Sequence, residues 1–227
     1  THYLMIEDVI EINPFNKIEI SFREPVVLPK TIPITAIESI LVAAYSKLKS
    51  SETEYSKKTS VRDIAVLELL FATGARVSEI CSLTPSSVNL DNHTVKFYGK
   101  GSKERIIQIE NLNVQKALNN YVNVFDEEIK ASEYFFVNRL HNRLSEQSVR
   151  EMIRKYTKLA EISIHITPHM FRHTFATLLL EEDVDIRYIQ RLLGHSSITT
   201  TQIYTHVAMS KQKEILSAKH PRNKIKI

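Results

Sequence analysis

The apolar positions fall into blocks at two spacings, and those blocks predict the elements. Ile37, Ile40, Leu41, Ala44 and Leu48 recur at helical spacing, which predicts a helix from Thr35 to about Lys49 with one buried face. Thr35 and Glu38, just after Pro33, have the spacing of a capping box at its start. Residues 50–60 are rich in Ser, Glu, Lys and Thr and read as a solvated loop. Val61 to Ala72 is strongly apolar and helical, Thr73-Gly74 breaks it, and Ala75 to Leu83 reads as a second short helix. Three short strands follow, Ser87 to Leu90, Thr94 to Tyr98 and Arg105 to Ile109, joined by turns at Asp91-Asn92 and Gly99-Lys100-Gly101-Ser102.

Helical spacing returns at Leu112 to Val124, and Tyr134 to Val137 reads as a short buried strand or extended segment. Ser145 opens a helix through Glu161. Thr167 and Pro168, as cap and first helical residue, open another to about Glu182. A further helix runs from about Asp185 to Leu193 and stops at Gly194. The last helices occupy roughly Thr199 to Ala218, before a loose basic tail from Lys219 to Ile227. Residues 1 to about 30 read as irregular, with turn chemistry at Asn13-Pro14-Phe15-Asn16 and breaks at Pro25 and Pro29. The fold class is therefore α+β, mainly helical, with a small three-stranded antiparallel sheet set among the helices.

Composition narrows the picture only a little. At 227 residues and 43% hydrophobic content, the chain can bury a sizeable core. Its 30 Lys and Arg against 26 Asp and Glu give a net charge of +4, which permits a nucleic-acid partner without requiring one. The single cysteine, Cys81, excludes an internal disulfide, fits a reducing compartment, and lies in an apolar helical pattern where a buried, inert thiol is expected. No apolar run reaches the roughly 20 residues that span a bilayer, and no Walker-type loop or dinucleotide fingerprint is present, so no cofactor is expected.

Candidate chemistry concentrates in four places. Leu192 through His206 carries an imidazole at His195, a run of hydroxyls, and Tyr204 among small polar residues. A phenol titrates near about 10 and is a poor nucleophile at neutral pH unless cations stabilise the phenolate. His169 and Arg172, three apart at a helix start, share a face that either holds an anion or is simply solvated. Arg76 and Glu79 have i,i+3 spacing, compatible with an ordinary exposed ion pair. Lys103 sits at a hairpin tip. Zinc is not expected: His169 and His173 are i,i+4, but Met170 stands where the His-Glu-x-x-His pattern needs a glutamate.

Taken together, Thr73-Gly74-Ala75-Arg76-Val77-Ser78-Glu79-Ile80, Gly99 through Arg105, Pro168 through Thr177, and Leu193-Gly194-His195 through Tyr204-Thr205-His206 occur in the order and spacing of tyrosine recombinases. The chain resembles the catalytic domain of that family over about residues 30–220, most closely Xer-type enzymes and mobile-element integrases. The resemblance implies that Tyr204 attacks a DNA phosphodiester and retains the 3′ phosphate. Arg76 and Arg172 match the arginines on the non-bridging oxygens, and Lys103 the acid that protonates the leaving 5′ oxygen. His169 matches the position handling the proton on the tyrosine side, His195 the His-or-Trp position on the phosphate, and Glu79 a supporting acid. The expected partner is a double-stranded recombination site, bound by a homotetramer on synapsed DNA with exchange of C-terminal tails. The expected location is cytoplasmic, at the nucleoid. By the same resemblance, residues 1–30 correspond to the linker after an N-terminal core-binding domain, and residues 31–227 to the catalytic domain and tail.

Elementary electrostatics suits these roles. Planar guanidinium forks bind phosphate oxygens bidentately, as lysine cannot. Fixed donors aimed at developing charge contribute about 3–4 kcal/mol each in comparable sites. A general acid contributes roughly 10²- to 10⁴-fold. The rival readings are a type IB topoisomerase-like enzyme, a regulator that binds DNA without cutting it, and a metal-dependent nuclease.

Overall fold

A computed structural model describes residues 5–10, 30–99 and 104–194. The predicted turn at Asn13-Pro14-Phe15-Asn16, the breaks at Pro25 and Pro29, the hairpin tip with Lys103, and everything from His195 onward, including Tyr204, the last helices and the basic tail, lie outside the described residues.

The described chain runs α1 (Ile34–Lys49), α2 (Glu54–Thr73), α3 (Val77–Cys81), a 3₁₀ turn (Pro85–Ser87), β1 (Val88–Asn89), β2 (Thr94–Tyr98) and β3 (Glu104–Gln108). It continues with α4 (Leu112–Val124), α5 (Asp126–Lys130), α6 (Glu146–Leu159), α7 (Pro168–Glu181) and α8 (Ile186–Leu193). The class is the expected one, mainly helical with one three-stranded antiparallel sheet of order β1-β2-β3. None of the described helices is long and apolar enough to cross a membrane.

α2 is the axis of the domain. Val61, Ile64, Ala65, Val66, Leu67, Leu69 and Leu70 are all buried, because α1, α4, α6 and α7 pack around it. Two expectations fail at the starts of α2 and α1. The stretch read as a loop over residues 50–60 is mostly helix: α2 begins at Glu54, and Thr53 caps it by accepting the Ser56 N–H at 3.2 Å. The capping box at Thr35 does not form either. Pro33 takes the cap position of α1, its carbonyl accepting the Ala36 and Ile37 N–H groups, and Thr35 lies inside the helix. A short helix, α5, also stands where none was expected. Phe135, Phe136 and Val137 are buried as predicted, in an extended segment closed by a single bridge between Val137 and Arg143.

The sheet follows the period of two. Val95 and Phe97 face inward and pair with Ile107 and Arg105, while Lys96 and Glu104 face outward and bridge at 2.6 Å. Cys81 is fully buried, and burial pushes its thiol up to about 12, consistent with the inert thiol expected there. A smaller cluster, Ala176, Leu180, Ile189 and Leu193, seats α8 on the far half of α7.

Candidate active site

The site is assembled where helices end. α2 stops because Gly74 adopts a left-handed conformation, φ 56°, and its N–H bonds to the Leu70 carbonyl. Gly74 also has no room for a side chain: a Cβ there would stand 2.6 Å from Phe175 Cδ1, on α7. α8 stops in the same way at Gly194, φ 65°. These two helix ends converge on the first turns of α3 and α7.

Arg172, in the first turns of α7, is almost wholly buried, at 5% exposure. Its Nη1 donates to the Gly74 carbonyl at 2.9 Å and its Nη2 to the Leu193 carbonyl at 2.7 Å. Burying a cation is costly unless its donors are satisfied, and carbonyls at helix C-termini carry partial negative charge that suits a guanidinium. Arg172 therefore ties the ends of α2 and α8 to the start of α7. His169 stays exposed on the preceding turn, so the face shared with Arg172 in sequence is split between solvent and interior. His173, half-buried beside them, is held below the ordinary histidine range, chiefly by burial and further by the charges of His169 and Arg172. α7 is anchored at this level by Thr174, whose hydroxyl accepts the Ile32 N–H at 2.7 Å and donates to the Met170 carbonyl.

Arg76 lies two residues after Gly74, at the cap of α3, and its pairing with Glu79 differs from the exposed ion pair that spacing alone allowed. Glu79 is 6% exposed and accepts four hydrogen bonds. Oε1 takes Arg76 Nη1 at 3.0 Å and Arg105 Nη1 at 2.8 Å. Oε2 takes the Arg76 backbone N–H at 2.7 Å and Arg105 Nη2 at 2.7 Å. Burial pushes the carboxyl up, but the two bonds from Arg105 and those from Arg76 outweigh it and hold Glu79 below the ordinary carboxylate range.

Arg105 belongs to this junction, although in sequence it only ends a motif and opens a strand. Its side chain is 9% exposed and makes three hydrogen bonds, the third from Nε to the Leu192 carbonyl at 2.8 Å. Its guanidinium lies 4.9 Å from the centre of the Phe97 ring, its partner across the hairpin. The signal was available. Arg105, Ile107 and Ile109 alternate toward the interior, and a cation at an inward strand position must find a buried partner.

Of the residues singled out in the sequence, Arg76, Glu79, His169 and Arg172 are described, and all four stand around this junction. Lys103, His195 and Tyr204 are not described. In sequence Lys103 immediately precedes β3, and His195 follows Gly194, where a Cβ would lie 3.1 Å from Arg105 Nη1. Among the described residues, no group of three or more His, Cys, Asp or Glu side chains is placed to hold a metal ion.

Comparison with known proteins places the chain. Residues 41–211 match the phage integrase family. A tyrosine recombinase of Agathobacter rectalis is 58% identical over 221 residues, 97% of this chain and 72% of the relative. The tyrosine recombinase XerC of Bacillus subtilis is 38% identical over 225 residues, 97% of this chain and 70% of the relative. The crystal structure of XerA recombinase superposes with a TM-score of 0.69 at 32% identity, covering 89% of this chain and 67% of that one. With its arginines gathered at one junction and its sequence matched along nearly its whole length, the chain belongs to the phage integrase family of tyrosine recombinases.

Proposed function

We propose that the protein breaks and rejoins DNA at a specific site through a covalent phosphotyrosine, with Tyr204 as the nucleophile. In the forward step the Tyr204 oxygen bonds to phosphorus and the bond from phosphorus to the 5′ oxygen breaks. The phenolic proton passes toward His169, and Lys103 protonates the departing 5′ oxygen. Arg76, Arg172 and His195 hold the non-bridging oxygens. Rejoining is the reverse, with a 5′ hydroxyl attacking the phosphotyrosine. The ester conserves the bond energy, so no nucleotide cofactor is consumed.

The observation that carries this reading is the tie between the two arginine motifs. Arg172 bonds to the Gly74 carbonyl, two residues before Arg76, although the two arginines are far apart in sequence. Cations clustered at one point suit a phosphate that gains charge in the transition state. A non-cleaving regulator has no use for Tyr204 or Lys103, and kinship with recombinases favours strand exchange over simple relaxation of supercoils. The same reading takes the substrate as two duplex sites held by a homotetramer with exchanged C-terminal tails. It takes residues 1–30 as a linker and the catalytic domain as starting at residue 31.

The test is a nicked suicide duplex, whose sequence comes from footprinting the protein on the DNA around its own gene. The wild-type protein is expected to form an adduct that survives denaturing electrophoresis, and Tyr204→Phe to bind the duplex without forming it. An adduct retained by Tyr204→Phe refutes the assignment.

A further inference from the structure

We propose that Arg105 is a positioning residue for strand cleavage: through Glu79 it fixes the guanidinium of Arg76, and through the Leu192 carbonyl it fixes the end of α8. The inference rests on the recombinase reading above and adds to it a residue that acts through another.

The division of labour is visible in exposure. The Arg105 and Glu79 side chains are 9% and 6% exposed, whereas that of Arg76 is 37% exposed. The inner pair is a scaffold and the outer guanidinium is its working end. Glu79 meets Arg76 through one bond on each oxygen, Oε1 to the side-chain Nη1 and Oε2 to the backbone N–H. Arg105 braces the same carboxylate from the other side. Its two parallel bonds lock the carboxylate plane, and only a planar fork can make them. The fork is in turn held from two further sides, by the Phe97 ring and by the Leu192 carbonyl.

The bond to Leu192 extends the role. Arg105 and Arg172 take consecutive carbonyls, Leu192 and Leu193, at the last turn of α8. The end of the helix is thereby fastened to the hairpin on one side and to α7 on the other, immediately before His195. One buried side chain thus joins β3, α3 and α8, the three elements whose ends carry Lys103, Arg76 and His195 in sequence.

The experiment compares two suicide duplexes of the footprinted sequence. One carries the natural scissile phosphodiester and the other a neutral methylphosphonate at that position. The neutral linkage lacks the charge that Arg76 opposes, so its cleavage depends less on how Arg76 is held. Arg105→Lys keeps the charge and loses the fork. It is expected to cleave the phosphodiester roughly 10²-fold more slowly, the size of effect that a small misplacement produces. On the methylphosphonate it should fall within a few-fold of wild type. In an Arg76→Ala background it should add no further slowing. Equal slowing of Arg105→Lys on both duplexes, or none on either, overturns the proposal. If Arg105→Lys does not fold, Glu79→Gln, which leaves Arg105 whole, is judged by the same comparison. If wild type forms no Tyr204-dependent adduct, or Arg76→Ala cleaves normally, the recombinase reading falls and this inference with it.

Discussion

Glu79 shows how much a single side chain depends on its partners at this junction. It is buried among two guanidiniums, and its folded carboxyl titrates below its ordinary range. As pH falls through the ordinary carboxylate range, the unfolded chain takes up a proton that the folded one does not. The stability contributed by Glu79 is therefore full above that range and is lost as pH falls through it toward the lower folded value. Glu79→Gln is expected to destabilise the protein at pH 7 by about 3 kcal/mol, because it leaves the buried Arg105 uncompensated. Urea unfolding of both proteins at several pH values should show the difference shrinking as the solution is acidified through pH 4. Arg76 and Glu79 were recognisable as a pair from spacing, but the third member was not, since Arg105 comes 26 residues after Glu79.

At the scale of elements, the two glycines that end α2 and α8 decide where the arginines stand. Both adopt positive φ, but their surroundings differ. A Cβ on Gly74 would meet the Phe175 ring at 2.6 Å, whereas on Gly194 it would meet the tip of the Arg105 side chain at 3.1 Å. Gly74→Ala is expected to cost roughly 2 kcal/mol or more, combining left-handed strain with overpacking of a ring that is held in place. Gly194→Ala is expected to cost less stability. Thermal unfolding ranks the two, and a larger loss at Gly194 would contradict this account of the helix ends. Most helices could be read directly, because their apolar spacing and end residues agree. α4 spans Leu112–Val124 as its pattern predicts, and Ser145 caps α6 by accepting the Ser148 N–H. The first turns of α2 could not be read this way. Their residues are polar, and the helix extends there from a strongly buried body, with Ser60 drawn into the interior.

For the molecule as a whole, the described helices wrap α2 and leave one corner where α3, α7, α8 and the hairpin meet. Among the described residues, that corner gathers the guanidiniums of Arg76, Arg105 and Arg172. Single-turnover cleavage is accordingly expected to proceed unchanged in excess EDTA, and strict loss of the adduct on chelation would overturn the proposed chemistry. A modest net charge of +4 suits this arrangement, since what matters is the local placement of guanidiniums and not the overall balance.

Amphipathic spacing, glycine stops and polar caps depend on neighbours a few residues away, so a linear reading could recover most helices, the three strands and the ordered motifs of the family. The bonds of Arg172 to Gly74 and Leu193, and of Arg105 to Glu79 and Leu192, depend on which helix ends packing brings together. They join residues separated by 98, 21, 26 and 87 positions, and no local pattern encodes such a pairing. Folding made Arg105 and Arg172 into a buried brace, because a guanidinium enters the interior only where acceptors from several elements already converge.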